Sequence, residues 1–173
     1  MADGTLKVGT ITTSSGSGNI TIGSGVTLLS NAPAFEVELT SDQTISDGTV
    51  TTIQFNSTLI DTGSFWDSTN YRWLPTVAGK YYVYAQANLG SDTVDSVLAT
   101  ILRLDKNGSR LRASQNDNQN NDLTTQEHTL TTIVELNGTS DYISVAGYID
   151  VNTGTPTIGA NDKTRFGAYR IGA

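Results

Sequence analysis

At 173 residues and without cysteine, the chain has the length of one medium domain, can bury a core without covalent staples, and is barred from disulfides and thiolate metal sites. Seventeen acidic against ten basic residues give a formal net charge of -7, which speaks against nucleic acid or an anionic membrane surface as partner, since both need a concentrated basic face. The opening "MADGTLKVGT" shows no apolar signal core and no run reaches the length of a membrane span, so neither a secretory signal nor membrane insertion is expected.

In chain order, residues 1–32 read as an N-terminal docking segment. "GTLKVGTITTSSGSGNITIGSGVTLLSN" is a series of short alternating runs separated by Gly-Ser punctuation. Its apolar residues are too few to bury a core alone. Gly-Ser richness favours a flexible leader, whereas the β-branched alternation favours pairing with copies of itself or with a larger surface. The pairing reading makes Leu6, Val8, Ile11, Ile20 and Ile22 the docking residues.

Residues 33–173 read as a single all-β head. Strands are expected at 34–40, 50–56, 71–75, 80–89, 97–105, 110–114, 127–136, 141–150 and 164–171. Turn signals stand between them: "SDG" at 46–48, "KNG" at 106–108, "NDNQNND" at 116–122, "LNGTSD" at 136–141 and "NTGTP" at 152–156. So many short strands with no helical apolar stripe point to a β-sandwich or jelly roll. The clearest strand is "VAGKYYVYAQANL". Period-two alternation sends Tyr81, Val83, Ala85, Ala87 and Leu89 to the core and Tyr82, Tyr84, Gln86 and Asn88 to the other face. Two adjacent outward tyrosines leave a large aromatic area that an oligomer would cover.

The stretch "WDSTNYRWLPTVAGKYYVYAQANL" resembles the signature of the complement globular-head family, a trimeric jelly roll related to the tumour necrosis factor fold. Trp66 and Asp67 match its aromatic-Asp pair, Trp73 its strand aromatic, and Gly79-Lys80-Tyr81 its Gly-x-Tyr. Val83 stands where phenylalanine is usual, and Ala78 where proline is common. "PAFEVEL", "ILRLDKNGSRL", "TLTTIVELNGTSDYISVAGY" and "TRFGAYRIG" resemble further landmarks of the family in the same order. The resemblance implies a jelly-roll head with Trp66, Trp73, Tyr81, Val83 and Phe166 in its core. It also implies a homotrimer with Tyr82, Tyr84 and Gln86 between subunits around the threefold axis.

The leader resembles the opening of bacteriophage tail-fibre and other virion proteins, with an "LKV-x-x-I"-like strand, a Gly-Ser turn and then "ITI". Together the two resemblances imply a non-enzymatic virion surface protein, either a capsid decoration or cement protein or a fibre knob that touches the host. Its partners would be other virion proteins and a host surface glycan. The competing reading is a soluble, lectin-like ligand-binding module of the same family.

Hidden chemistry finds little support. His128 is the only histidine and sits in "TTQEHTLTT" without nucleophile-elbow glycines, so a surface or interface histidine is expected and no catalytic residue is assigned. Asp92 and Asp95 read as solvated loop acids. "NDNQNND" could offer oxygen ligands, and related heads sometimes hold calcium near the apex, but the EF-hand spacing is missing and no metal is assigned. Asn116, Asp117, Asn118, Asn120 and Asp122 are instead read as loop residues able to contact a glycan. No cofactor is expected.

Overall fold

The computed structural model describes residues 32–118 and 123–173, and outside them Ser24 alone. The docking residues Leu6 to Ile22, and Asn120 and Asp122, therefore lie outside the described residues. Ala32–Ala173 forms one compact unit, separate from Met1–Asn31.

Thirteen strands follow one another in this unit: β1 (Ala34–Glu38), β2 (Gln43–Thr44), β3 (Thr51–Thr52), β4 (Ser57–Asp61), β5 (Trp66–Asp67), β6 (Arg72–Trp73), β7 (Gly79–Ser91), β8 (Val97–Lys106), β9 (Ser109–Asp117), β10 (Thr125–Leu136), β11 (Ile143–Val151), β12 (Pro156–Gly159) and β13 (Arg165–Gly172). A 3-10 turn, Asn161–Lys163, precedes β13. All pairings are antiparallel. The seven-stranded sheet runs β2-β12-β7-β13-β1-β4, with β10 on the other edge of β7. The six-stranded sheet runs β5-β6-β11-β8-β9, with β3 on β11. The fold is an all-β jelly-roll sandwich.

The inward faces of the two sheets make one core. Tyr81, Val83, Ala85, Ala87 and Leu89 of β7 are all fully buried, as are Trp73 and Phe166. Trp66 is half-buried against them. Phe35 organises the aromatic end. It stacks on Trp73 at 4.4 Å between ring centroids and meets Phe166 edge-on at 4.8 Å. Trp73 in turn meets Tyr81 edge-on at 5.2 Å, and the Tyr81 hydroxyl donates to the Val77 carbonyl at 2.5 Å. Each such pair adds about 0.5–1.5 kcal/mol beyond area burial.

The hairpin β8–β9 turns on Asn107 and Gly108, both with positive φ (54° and 76°). Two left-handed residues in succession are what a two-residue type I′ hairpin needs, and Asn-Gly is its preferred pair.

The structure corrects several sequence boundaries. The strand expected at 50–56 is only Thr51–Thr52, although Ile53 and Phe55 beyond it are buried. Ile53 N–H donates to the Val145 carbonyl at 2.9 Å, so the chain keeps hugging β11 without a regular ladder. β2, β4, β5 and β12 have no counterpart in the sequence reading, because they are short and their polar residues give no alternation. β9 runs on to Asp117. Asn116 and Asp117 are therefore strand residues, paired with Thr100 and Ala99, rather than the start of a turn. Pairing with β8 outweighs the turn preference of Asn and Asp.

Candidate functional site

The feature that stands out is the outer face of the seven-stranded sheet. Register places its side chains in rows. Ile133 of β10, Tyr82 of β7, Tyr169 of β13 and Ala34 of β1 form one row. Thr131, Tyr84, Gly167, Glu36 and Ile60 form the next, and Thr129, Gln86, Arg165, Glu38 and Ser57 the third. The face is therefore graded. Tyr82 lies 5.4 Å from Tyr169 and 6.5 Å from Tyr84 between ring centroids. In that first row Ile133 and Tyr169 stand 60% and 48% exposed.

The middle of the face is a charged network. The Tyr84 ring lies across Gly167, where an added Cβ would run into the phenol and the Phe35 carbonyl. That close approach lets the Tyr84 hydroxyl donate to Glu36 Oε2. Glu36 Oε1 also accepts from Arg165 at 3.2 Å, and Arg165 reaches Glu38 at 3.6 Å. Burial first, then the hydrogen bond and charge of Glu36, push the Tyr84 phenol well above its ordinary value. Tyr84 is thus a neutral donor at any physiological pH. Arg165 Nε is buried and has no hydrogen-bond partner among the described residues. Half-exposed ion pairs of this kind contribute little, about 0–1 kcal/mol each, so they orient the face more than they stabilise it.

Tyr82, Tyr84 and Gln86, singled out in the sequence, are each half-buried on this face. Their neighbours Glu36, Ile133, Arg165, Gly167 and Tyr169 were not singled out. The alternation of "TTIVEL" and "RFGAYRIG" carried that signal, because one outward residue in a sheet fixes its cross-strand partners once the register is known.

His128 is not a surface residue. It points inward from β10 and is 3% exposed. One ring nitrogen meets Thr100 Oγ1 at 2.8 Å and the other meets Ser114 Oγ at 2.9 Å. The imidazole thus ties the β10 edge of one sheet to β8 and β9 of the other. Both ring nitrogens are engaged by hydroxyls, so no carboxylate orients the ring as a triad would require. Burial holds its pKa below the ordinary value.

The loop acids have structural work. Asp92 is exposed, and its Oδ1 accepts the Thr155 N–H at 2.7 Å. Those hydrogen bonds hold its carboxyl below the usual range. Asp95 is exposed with a left-handed backbone, φ 52°. Asn118 donates its N–H to the Leu98 carbonyl at 2.6 Å. Among the described residues no group of three or more His, Asp or Glu side chains could hold a metal ion, and no helix is long and apolar enough to cross a membrane.

Two facing antiparallel sheets in this order place the chain among jelly-roll sandwiches. Among solved structures it is similar to the globular domain of zebrafish complement 1qA protein, with a TM-score of 0.61 and 15% sequence identity over 81% of this chain and 97% of that one. No family model matches the chain, and no curated protein matches it. At that identity the likeness is one of fold, and function has to be argued from the surface.

Proposed function

We propose that the chain is a non-enzymatic head that works as a homotrimer at the surface of a bacteriophage virion, as a capsid decoration protein or a fibre knob. The observation that carries the trimer is the apolar end of the large sheet's outer face. Tyr82, Tyr169 and Ile133 form one row of large side chains, the last two about half exposed. A contiguous patch of this kind is a feature of surfaces that meet a partner. The similarity in fold to a complement globular domain and the sequence resemblance to that trimeric family both support a second and third copy as that partner. In such an assembly the Tyr84–Glu36–Arg165 network would sit beside the apolar contact and fix the rotation of one copy against the next.

The virion setting rests on the resemblance of the leader sequence. Two experiments test it. Immunogold labelling of purified particles should decorate shell or tail, and unlabelled particles would contradict the setting. Deleting residues 2–31 should leave the head folded and trimeric but free of the particle. A truncated head that still joins the particle would remove the docking role from the leader.

A further inference from the structure

We infer that the polar end of the same sheet carries a saccharide-binding groove. A groove of about 390 Å³ opens where β7 ends, between β12, β10 and the 3-10 turn, with Asn88, Thr125, Thr157, Lys163, Asp42 and Asp92 among its lining residues. Its size falls within the usual range for small-ligand sites. From Tyr82 to Asn88 the strand advances about 20 Å, so the groove lies clear of the apolar cluster.

Asn88 is the key group. It is only 8% exposed, and its side-chain amide is not among the buried polar atoms that lack a partner, so the amide keeps its contact with the groove. Its backbone is satisfied, since its N–H donates to Thr164 Oγ1 at 3.3 Å. A Cβ at Gly159 would stand 2.9 Å from Asn88 Oδ1, so glycine there keeps the amide uncovered toward the groove. A ligand hydroxyl can both accept from that amide and donate to it.

The other groups narrow the ligand class. Asp42 Oδ1 accepts from Ala160 N–H at 2.8 Å and Asp92 Oδ1 from Thr155 N–H at 2.7 Å. Both carboxylates are thereby fixed, and each keeps its second oxygen for another donor. Two fixed carboxylates against one lysine disfavour an anion. Ala160 is the single hydrophobic residue in the lining, which disfavours an apolar ligand. A neutral compound with adjacent hydroxyls suits the set: carboxylates accept, the ammonium donates, and the amide does both. Without an aromatic platform each site binds weakly, in about the millimolar range, and repeated copies would raise the avidity. The sequence reading placed glycan contacts elsewhere, at Asn116, Asp117, Asn118, Asn120 and Asp122. The inference depends on neither the trimer nor the virion setting.

The test is a chemical-shift titration of the full-length protein with neutral hexoses, N-acetylhexosamines and their disaccharides. The expected result is saturable movement of the Asn88 side-chain amide and of the Gly90 and Gly159 N–H signals with at least one sugar. Asn88→Ala and the fully surface-placed Lys163→Ala should each weaken that binding about tenfold while leaving the remaining spectrum in place. No saturable movement in the groove with any sugar of the panel overturns the inference. So does binding that Lys163→Ala and a folded Asn88→Ala leave unchanged. A response of the same signals to calcium ions alone, with none to sugars, also overturns it.

Discussion

At the scale of single residues, the outer face depends on one missing side chain. Gly167 leaves the space in which the Tyr84 ring lies, and that position lets the phenol reach Glu36. Gly167→Ala should therefore destabilise the head by about 1–3 kcal/mol, the usual cost of overpacking a filled site. Adding Tyr84→Ala should relieve the part of that loss due to the ring and leave the part due to the close Phe35 carbonyl, which a double-mutant cycle in urea denaturation would measure. A Gly167→Ala protein as stable as the parent would show that the ring does not lie where described. His128 sets a second expectation. Its folded pKa is lowered by burial, so as pH falls the unfolded chain takes up a proton that the folded chain refuses. Stability should be full above about pH 6.5 and should decline as pH falls below it. The carboxyls held low by hydrogen bonds, Asp67, Asp92 and Asp141, contribute in a separate and more acidic window. Comparing urea midpoints at about pH 7.5 and about pH 5.5 should show the decline in the parent and a flatter response in His128→Gln. An equal decline in both would assign the acid sensitivity elsewhere.

At the scale of elements, long strands were legible and short ones were not. β7, β10 and β11 bury one face on the core, so their alternation survives along nine or more residues. β2, β5 and β12 span only two to four residues, too few for any period, and exist because a neighbouring edge supplies the partner. The Asn107-Gly108 hairpin was legible because the turn chemistry is local. Its asparagine carries further load, accepting the Tyr142 N–H and donating to Asp141 at 2.8 Å. Asn107→Ala should cost about 1–3 kcal/mol through backbone strain at positive φ alone, and Asn107→Gly should recover the strain but not the Asp141 contact. Thermal denaturation of the two variants would separate these parts. His128 was misread for a related reason. It was expected at the surface or an interface, because a lone histidine among threonines gives no sign that Thr100 and Ser114, more than ten residues away in sequence, will supply both partners.

At the scale of the whole molecule, two aromatic clusters divide the labour. Phe35, Trp73, Tyr81 and Phe166 close the interior of one head. Tyr82, Tyr84 and Tyr169 lie on the opposite side of the same sheet. The first cluster was readable from alternation and from the family resemblance. The second was readable only in part, since Tyr169 joins Tyr82 through a register between strands more than eighty residues apart. The groove at Asn88 was not readable at all. It needs β7, β10, β12 and the turn before β13 in place, and no local pattern announces that convergence. The outer face of the large sheet thus has an apolar end around Tyr82 and Tyr169 and a polar end around Asn88.

The most direct test of that division is sedimentation equilibrium of the full-length chain beside Tyr82→Ala and Ile133→Arg. The parent should sediment at three chain masses. Both variants should shift toward one chain mass while keeping the circular dichroism and urea midpoint of a folded β-sandwich, because neither position is in the core. A monomeric parent, or a trimer that both substitutions leave intact, would contradict assembly through this face.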